Sequence, residues 1–312
     1  MWETILSQVF ILGLLTAGIR IATPLLLAAL GEIVCEKAGI LNIGIEGTML
    51  AGSLAGFLGA NFTGNVWLGL LAGLIAGGLV SYIQIYLSIK LGTDQVVNGI
   101  AINLFSLGLT SVLYQSIFGV FLHTPRVTTL PSYAIPYLSD LPMIGKVFFN
   151  QSPMIYLSWI LVPIFYIAIF KTDFGLVIRA VGENPAAADS AGINIGRVRS
   201  LAVMIGSMMA GLAGAFLSVA QLGQFSDNMT AGRGFIALAV VIFGRWNPFG
   251  ALPASLVFGI AYALQLSLQA LGFLVPYQFL LMLPYVITMI TIIGSSGHRG
   301  APATLGVPYE KA

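Results

Sequence analysis

Residues 171–199 read KTDFGLVIRAVGENPAAADSAGINIGRVR. The stretch carries four basic residues (Lys171, Arg179, Arg197, Arg199) and three acidic ones (Asp173, Glu183, Asp189). On either side the chain turns apolar, over 154–170 and over 198–220. Those lengths match the roughly 17–25 residues that a helix needs to cross a hydrocarbon core. A charged island between two such runs reads as a loop between membrane spans. Its Lys and Arg place it on the cytoplasmic side, where short loops carry their excess of positive charge.

The composition supports this. Of 312 residues, 58% are hydrophobic and 8% charged, with a mean hydropathy of +0.96. A soluble domain carries about 25% charged residues, so this chain has too little polar surface to be dissolved in water. In a bilayer the backbone must satisfy itself, as helices or as a closed barrel. Long apolar runs without dyad alternation select helices. The expected class is therefore all-α and polytopic, one membrane domain over 1–312. The 37 glycines fit it, because small residues let membrane helices approach closely. A net charge of +2, thinly spread, excludes nucleic acid as a partner. Cys35 is the single cysteine, so no internal disulfide forms. The first apolar run lacks a basic leader, and it is expected to remain in the mature protein.

Taken in order, spans are expected at 5–30, 40–60, 66–89, 94–121, 154–170, 198–220, 249–271 and 274–293, with a short apolar piece at 233–243. The total is about eight to ten transmembrane helices. Arg20 interrupts the first. It is either an inward-facing charge beside a polar path or a side chain reaching an interface. Gly31–Gly39 is charged (Glu32, Glu36, Lys37) and reads as a loop. The second span opens with Asn42, Gly44, Glu46 and Gly47, the pattern of a broken helix; the alternative is an ordinary helix that starts at the interface. Gly69, Gly73 and Gly77 repeat every fourth residue and suit close packing. Asn98 and Asn103 place polar groups on the fourth span, as solute contacts or as interhelical hydrogen bonds. Five prolines between 122 and 153 exclude a spanning helix there, leaving an external loop with one short helix. His123, in that loop, has no companion ligands for a metal. The tail, 294–312, reads as flexible. If 171–199 is cytoplasmic, alternation leaves the N-terminus outside.

The chain carries no phosphate-binding loop, no metal motif and no paired carboxylates suited to acid–base work, so no catalytic residue, metal or cofactor is expected. Within 171–199, Asn184-Pro185 opens a short Ala-rich helix that Gly192 ends.

Three motifs now carry a resemblance. GENPAAADSAGINIGRVR (182–199) resembles the coupling loop of ATP-binding-cassette importer permeases. EKAGILNIGIEGTMLAG (36–52) resembles permeases of the branched-chain amino acid/ribose type, most closely their nucleoside branch. GRGFIALAVVIFGRWNPFGALPASLVFG (232–259) matches the same branch. The resemblance implies a permease subunit in a bacterial inner membrane. It would be paired with a second, related permease and driven by a cytoplasmic ABC ATPase, and an external substrate-binding lipoprotein would supply the small-molecule substrate. The implied substrate is a nucleoside. A sugar, a branched-chain amino acid and an ATP-independent carrier are the alternatives. Asn42 and Glu46 fall where the family runs its translocation path, to which the polar stripe adds Asn98 and Asn103. Glu183, Asn184, Ala187, Ala188, Gly192 and Ile193 fall where it meets the ATPase. A buried Arg20–Glu46 pair is a further expectation.

Overall fold

A computed structural model describes residues 8–119, 125–139, 141, 144–271 and 300–309, with single helical positions at 278, 279, 282, 286 and 289. The architecture is all-α. In chain order the helices are α1 (Gln8–Lys37), α2 (Ile45–Thr63), α3 (Val66–Gln84, running on as a π-helical turn Ile85–Lys90), α4 (Gln95–Phe118), α5 (Ile144–Phe148), α6 (Pro153–Lys171), α7 (Asp173–Glu183), α8 (Pro185–Ser190), α9 (Ile195–Ala215, with a π-helical end Phe216–Leu222), α10 (Arg233–Phe243) and α11 (Pro248–Ala270). A two-residue antiparallel ribbon, β1 (Tyr133–Ala134) with β2 (Asn150–Gln151), pairs Tyr133 with Gln151.

Side-chain caps start most of these helices. Asn65 accepts from the Trp67 N–H at 2.9 Å, and Asp94 from those of Val96 and Val97 at 2.8 and 2.9 Å. Thr172, Asn184 and Asn194 cap α7, α8 and α9 in turn. Each cap satisfies N–H groups that the first turn leaves without a partner. These three caps divide 171–199 into two helices and the first turn of a third, where the sequence suggested a loop with one short helix.

Among the described residues, six helices have the length and apolarity to cross a membrane: α1, α3 with its π-turn, α4, α6, α9 with its π-end, and α11. The chain is thus a multi-pass membrane protein. The span expected at 274–293 lies almost wholly outside the described residues, as does His123. Among its described residues, the segment 122–153, expected as an external loop with one short helix, holds β1, β2 and the short helix α5.

The bundle is built around α9, within which an 18-residue apolar stretch is 83% buried. It packs on α1, α2 and α3, and glycines make that possible. A Cβ at Gly31 would lie 2.6 Å from Met209 Cβ, and one at Gly77 would meet the Ser207 carbonyl and lie 3.0 Å from Gly211 Cα. The Gly69/Gly73/Gly77 face therefore seats α3 on α2 and α9, at backbone contact.

Two expectations are corrected. Gly31–Gly39 is not a charged loop: α1 continues through it to Lys37, with Glu32 and Glu36 buried. Remote partners make this tolerable. Glu32 Oε1 accepts the Asn42 N–H at 3.1 Å, Glu36 accepts the Trp246 indole N–H, and Lys37 Nζ donates to the Gly300 carbonyl at 2.7 Å. The tail is not loose over 300–309. It lies across the ends of α1, α7 and α9, bonded to each.

Candidate functional site

The centre of interest is the break before α2. α10 has 11 residues and is therefore about 16 Å long, half of a ~30 Å hydrocarbon core. Its C-terminal turn carries Trp246 to Glu36 at the end of α1. Its N-terminus consequently lies deep in the bundle, where α2 also begins.

Glu46, in the first turn of α2, joins them. Its Oε1 accepts the Gly232 N–H at 2.8 Å and its Oε2 the Gly234 N–H at 2.6 Å. Gly232 sits at φ +83° and supplies no side-chain cap to α10. Glu46 supplies it from another helix, its negative charge on the positive end of the α10 dipole. Gly234 is small because it must be: a Cβ there would lie 2.6 Å from Glu46 Cα.

The neighbouring amides complete a knot. Asn103 Oδ1 accepts the Gly47 N–H at 2.7 Å, and its Nδ2 donates to the Ile43 carbonyl at 3.0 Å. Gln95 Oε1 accepts the Leu41 N–H at 2.8 Å. Asn42 is buried, and its side-chain Nδ2, like Glu32 Oε2 and Gln95 Nε2, has no hydrogen-bond partner. Asn98 stands apart. Its Nδ2 donates to Ser88 Oγ at 2.9 Å and to Thr93 Oγ1 at 2.8 Å, tying α4 to the π-turn of α3. The structure thus brings Asn42, Glu46 and Asn103 together and leaves Asn98 outside. The polar atoms of Glu46, Asn98 and Asn103 are engaged in holding the chain.

The expected Arg20–Glu46 pair does not form. Arg20 Nε donates instead to Gln151 Oε1 of β2 at 3.3 Å. Arg20 lies 17 residues before Lys37, about 25 Å along α1, near the opposite end of the bundle. There it lines a cavity of about 910 Å³ with Lys146, Thr16, Ser132, Asn150 and Gln221. Among the described residues, two cations and no carboxylate face this cavity. None of Asn42, Glu46, Asn98 or Asn103 reaches it. Lys146 carried no signal in the sequence, since only the fold of 125–152 brings it to α1. Tyr114 packs in a ring cluster with Phe57, Phe118 and Phe225, at centroid distances of 5.1–6.2 Å.

At the Lys37 end, α8 stands on the surface. Glu183, Asn184, Ala187 and Gly192 are exposed and Ile193 is half-buried. Ala188 is only 4% exposed and packs inward with Val181 and Ile195. The face that α8 offers outward is therefore Ala187's, not Ala188's.

The family described as branched-chain amino acid transport system / permease component matches residues 14–293. The chain is 40% identical over 303 residues to the guanosine ABC transporter permease protein NupQ of Bacillus subtilis, covering 93% of this chain and 94% of that one. It is 38% identical over 320 residues to the putative glucose ABC transporter permease protein TsgC13 of Haloferax volcanii, covering 96% of each. It is 35% identical over 303 residues to the nucleoside ABC transporter permease protein NupC of Lactococcus lactis, covering 93% and 94%. A second permease from each of these organisms also matches, at 27–28% identity. No solved structure matches the chain.

Proposed function

The chain belongs to the branched-chain amino acid transport system permease family, and from that premise we propose that it is one half of the membrane core of an ATP-binding-cassette importer for nucleosides. The observation that carries this reading is its likeness, along almost its whole length, to a permease named for guanosine transport. The partner permease is a different, related chain, since each of the three organisms has two matching permeases of unequal similarity. The Lys37 end is cytoplasmic. There α8 receives a separate ATPase through Glu183, Asn184, Ala187, Gly192 and Ile193. An external binding protein delivers the solute to the Arg20 end.

The cavity beside Arg20 is the outer mouth of the path. Its volume lies within the range of about 300–1,000 Å³ that holds a small organic solute. Its hydroxyls and amides suit ribose and base edges, and its two cations repel metal ions and protons, as charged constrictions do in selective pores. The knot of Asn42, Glu46 and Asn103 joins the start of α2 to the start of the half-length α10, and Asn98 braces α4 beside it. We assign these four a framework role around the path.

The glucose-named relative supports a second reading, a sugar importer. Uptake of labelled guanosine and labelled glucose in cells lacking the chain, with and without its restoration, decides between them. Loss and recovery of guanosine uptake alone is expected. Loss of glucose uptake with guanosine intact would establish the sugar reading. Purification of the tagged chain from solubilised membranes is expected to bring down an ATPase and a second permease.

A further inference from the structure

Residues 300–309 (GAPATLGVPY) form a strap, turned at 303–306, across the end of the bundle that carries α8. Each part of it is bonded. The Gly300 carbonyl accepts from Lys37 Nζ at the end of α1 at 2.7 Å. Thr304 donates twice to the Gly182 carbonyl, from its N–H at 3.1 Å and its hydroxyl at 2.7 Å. The Gly306 N–H donates to the Gly39 carbonyl at 3.1 Å. The Val307 carbonyl accepts from Arg199 Nη1 of α9 at 3.2 Å, while Arg199 Nε holds the Ala38 carbonyl at 3.2 Å. Tyr309 places its hydroxyl 3.3 Å from Asp189 Oδ2 of α8 and packs with the cluster around Ala188. The carbonyls of Gly39 and Gly182 stand at helix C-terminal ends, where a helix has no acceptors' partners of its own. The strap supplies those partners.

α8 has six residues. A helix so short has little stability alone, and chain breaks at Asn184 and Gly192 bound it. On its inner side it rests on a small cluster, Val181, Ala188 and Ile195. The strap extends that footing to α1 and α9. Both of those helices run the depth of the bundle and contribute walls to the cavity beside Arg20, α1 through Thr16 and Arg20 and the end of α9 through Phe216 and Gln221.

We infer that the strap Gly300–Tyr309 is the positioning element that transmits displacement of α8 to α1 and α9, and so couples the ATPase to the outer cavity. This rests on the importer reading above. Without the strap, α8 can still be gripped by a partner, but its movement is taken up at the breaks on either side.

The test uses the whole importer in proteoliposomes: this chain, the second permease, the ATPase and the binding protein. Solute transported per ATP hydrolysed is measured for the native chain and for Thr304→Val, Thr304→Ser and Tyr309→Phe. Thr304→Val should lower the ratio about fivefold, the equilibrium equivalent of one neutral hydrogen bond. Thr304→Ser, which keeps the hydroxyl, should restore it. Tyr309→Phe should lower it similarly, and Thr304→Val with Tyr309→Phe by about twenty-fivefold if the bonds act independently. Capture of the ATPase and its basal hydrolysis should be unchanged in all. An unchanged transport ratio in the double variant overturns the inference. So does loss of ATPase capture in that variant, which would make the strap a docking surface. Failure of the native chain to bring down any ATPase would instead remove the importer reading itself.

Discussion

Replacing Glu46 by Gln separates a framework role from contact with solute. The native carboxylate receives two backbone N–H groups, at 2.8 and 2.6 Å, the lengths of charge-assisted bonds. Gln keeps one acceptor oxygen and turns an NH₂ group toward the other donor. One bond to a charged group, worth about 1.5–3 kcal/mol, is lost, and a buried N–H is left unmade at about 1–3 kcal/mol. These costs overlap, and the favourable charge at the α10 N-terminus disappears with them. A net loss of about 3 kcal/mol is expected. At roughly 2 °C per kcal/mol for a chain of this size, Tm should fall by about 6 °C. The assay is thermal unfolding of the purified chain in detergent, paired with concentration-dependent uptake in proteoliposomes. The apparent KM for solute should stay as it is in the native protein. Gly234→Ala presses on the same contact without altering charge, since its Cβ would lie 2.6 Å from Glu46 Cα. It should destabilise by about 1–3 kcal/mol. An unchanged Tm in Glu46→Gln, with KM raised tenfold, would refute the reasoning and place Glu46 on the solute.

Ala187→Arg should abolish uptake and ATPase capture while Tm and membrane abundance hold, because Ala187 is on the exposed side of α8. Ala188→Asp should lower abundance as well, by leaving an unpaired charge in a buried position at about 3–5 kcal/mol, read by fluorescence-detected gel filtration. The double reversal Arg20→Glu with Glu46→Arg should show no rescue over the two single variants in the same assay, since Arg20 meets Gln151 and Glu46 meets α10. Gly77→Ala should destabilise by about 1–3 kcal/mol where α3 meets α9. Gly108→Ala, with open space around it on α4, should leave Tm unchanged or slightly raised.

The residues themselves disclosed the class of fold. Scarcity of charge, apolar runs of spanning length and the basic island at 171–199 follow from the solvent that each segment needs. Transfer free energy is a local property, legible residue by residue. The same holds for Asn184-Pro185 opening α8 and Gly192, at φ +82°, ending it, because caps act over three or four positions. The Gly69/Gly73/Gly77 spacing announced a packing face, but not that α9 and α2 would fill it.

What only the tertiary structure decided is where each buried polar group finds its partner. Glu32 and Glu36 looked like loop charges because Asn42 and Trp246, which each donate one hydrogen bond to them, stand 10 and 210 residues away. Glu46 looked like a wetted or solute-facing carboxylate because its donors lie 186 and 188 residues on. Gly300–Tyr309 looked like a flexible tail because the carbonyls it meets belong to helices far upstream. Composition states the cost of burying such a group. Whether that cost is offset depends on which helix ends the fold brings within 3 Å, and no local pattern in the chain encodes that.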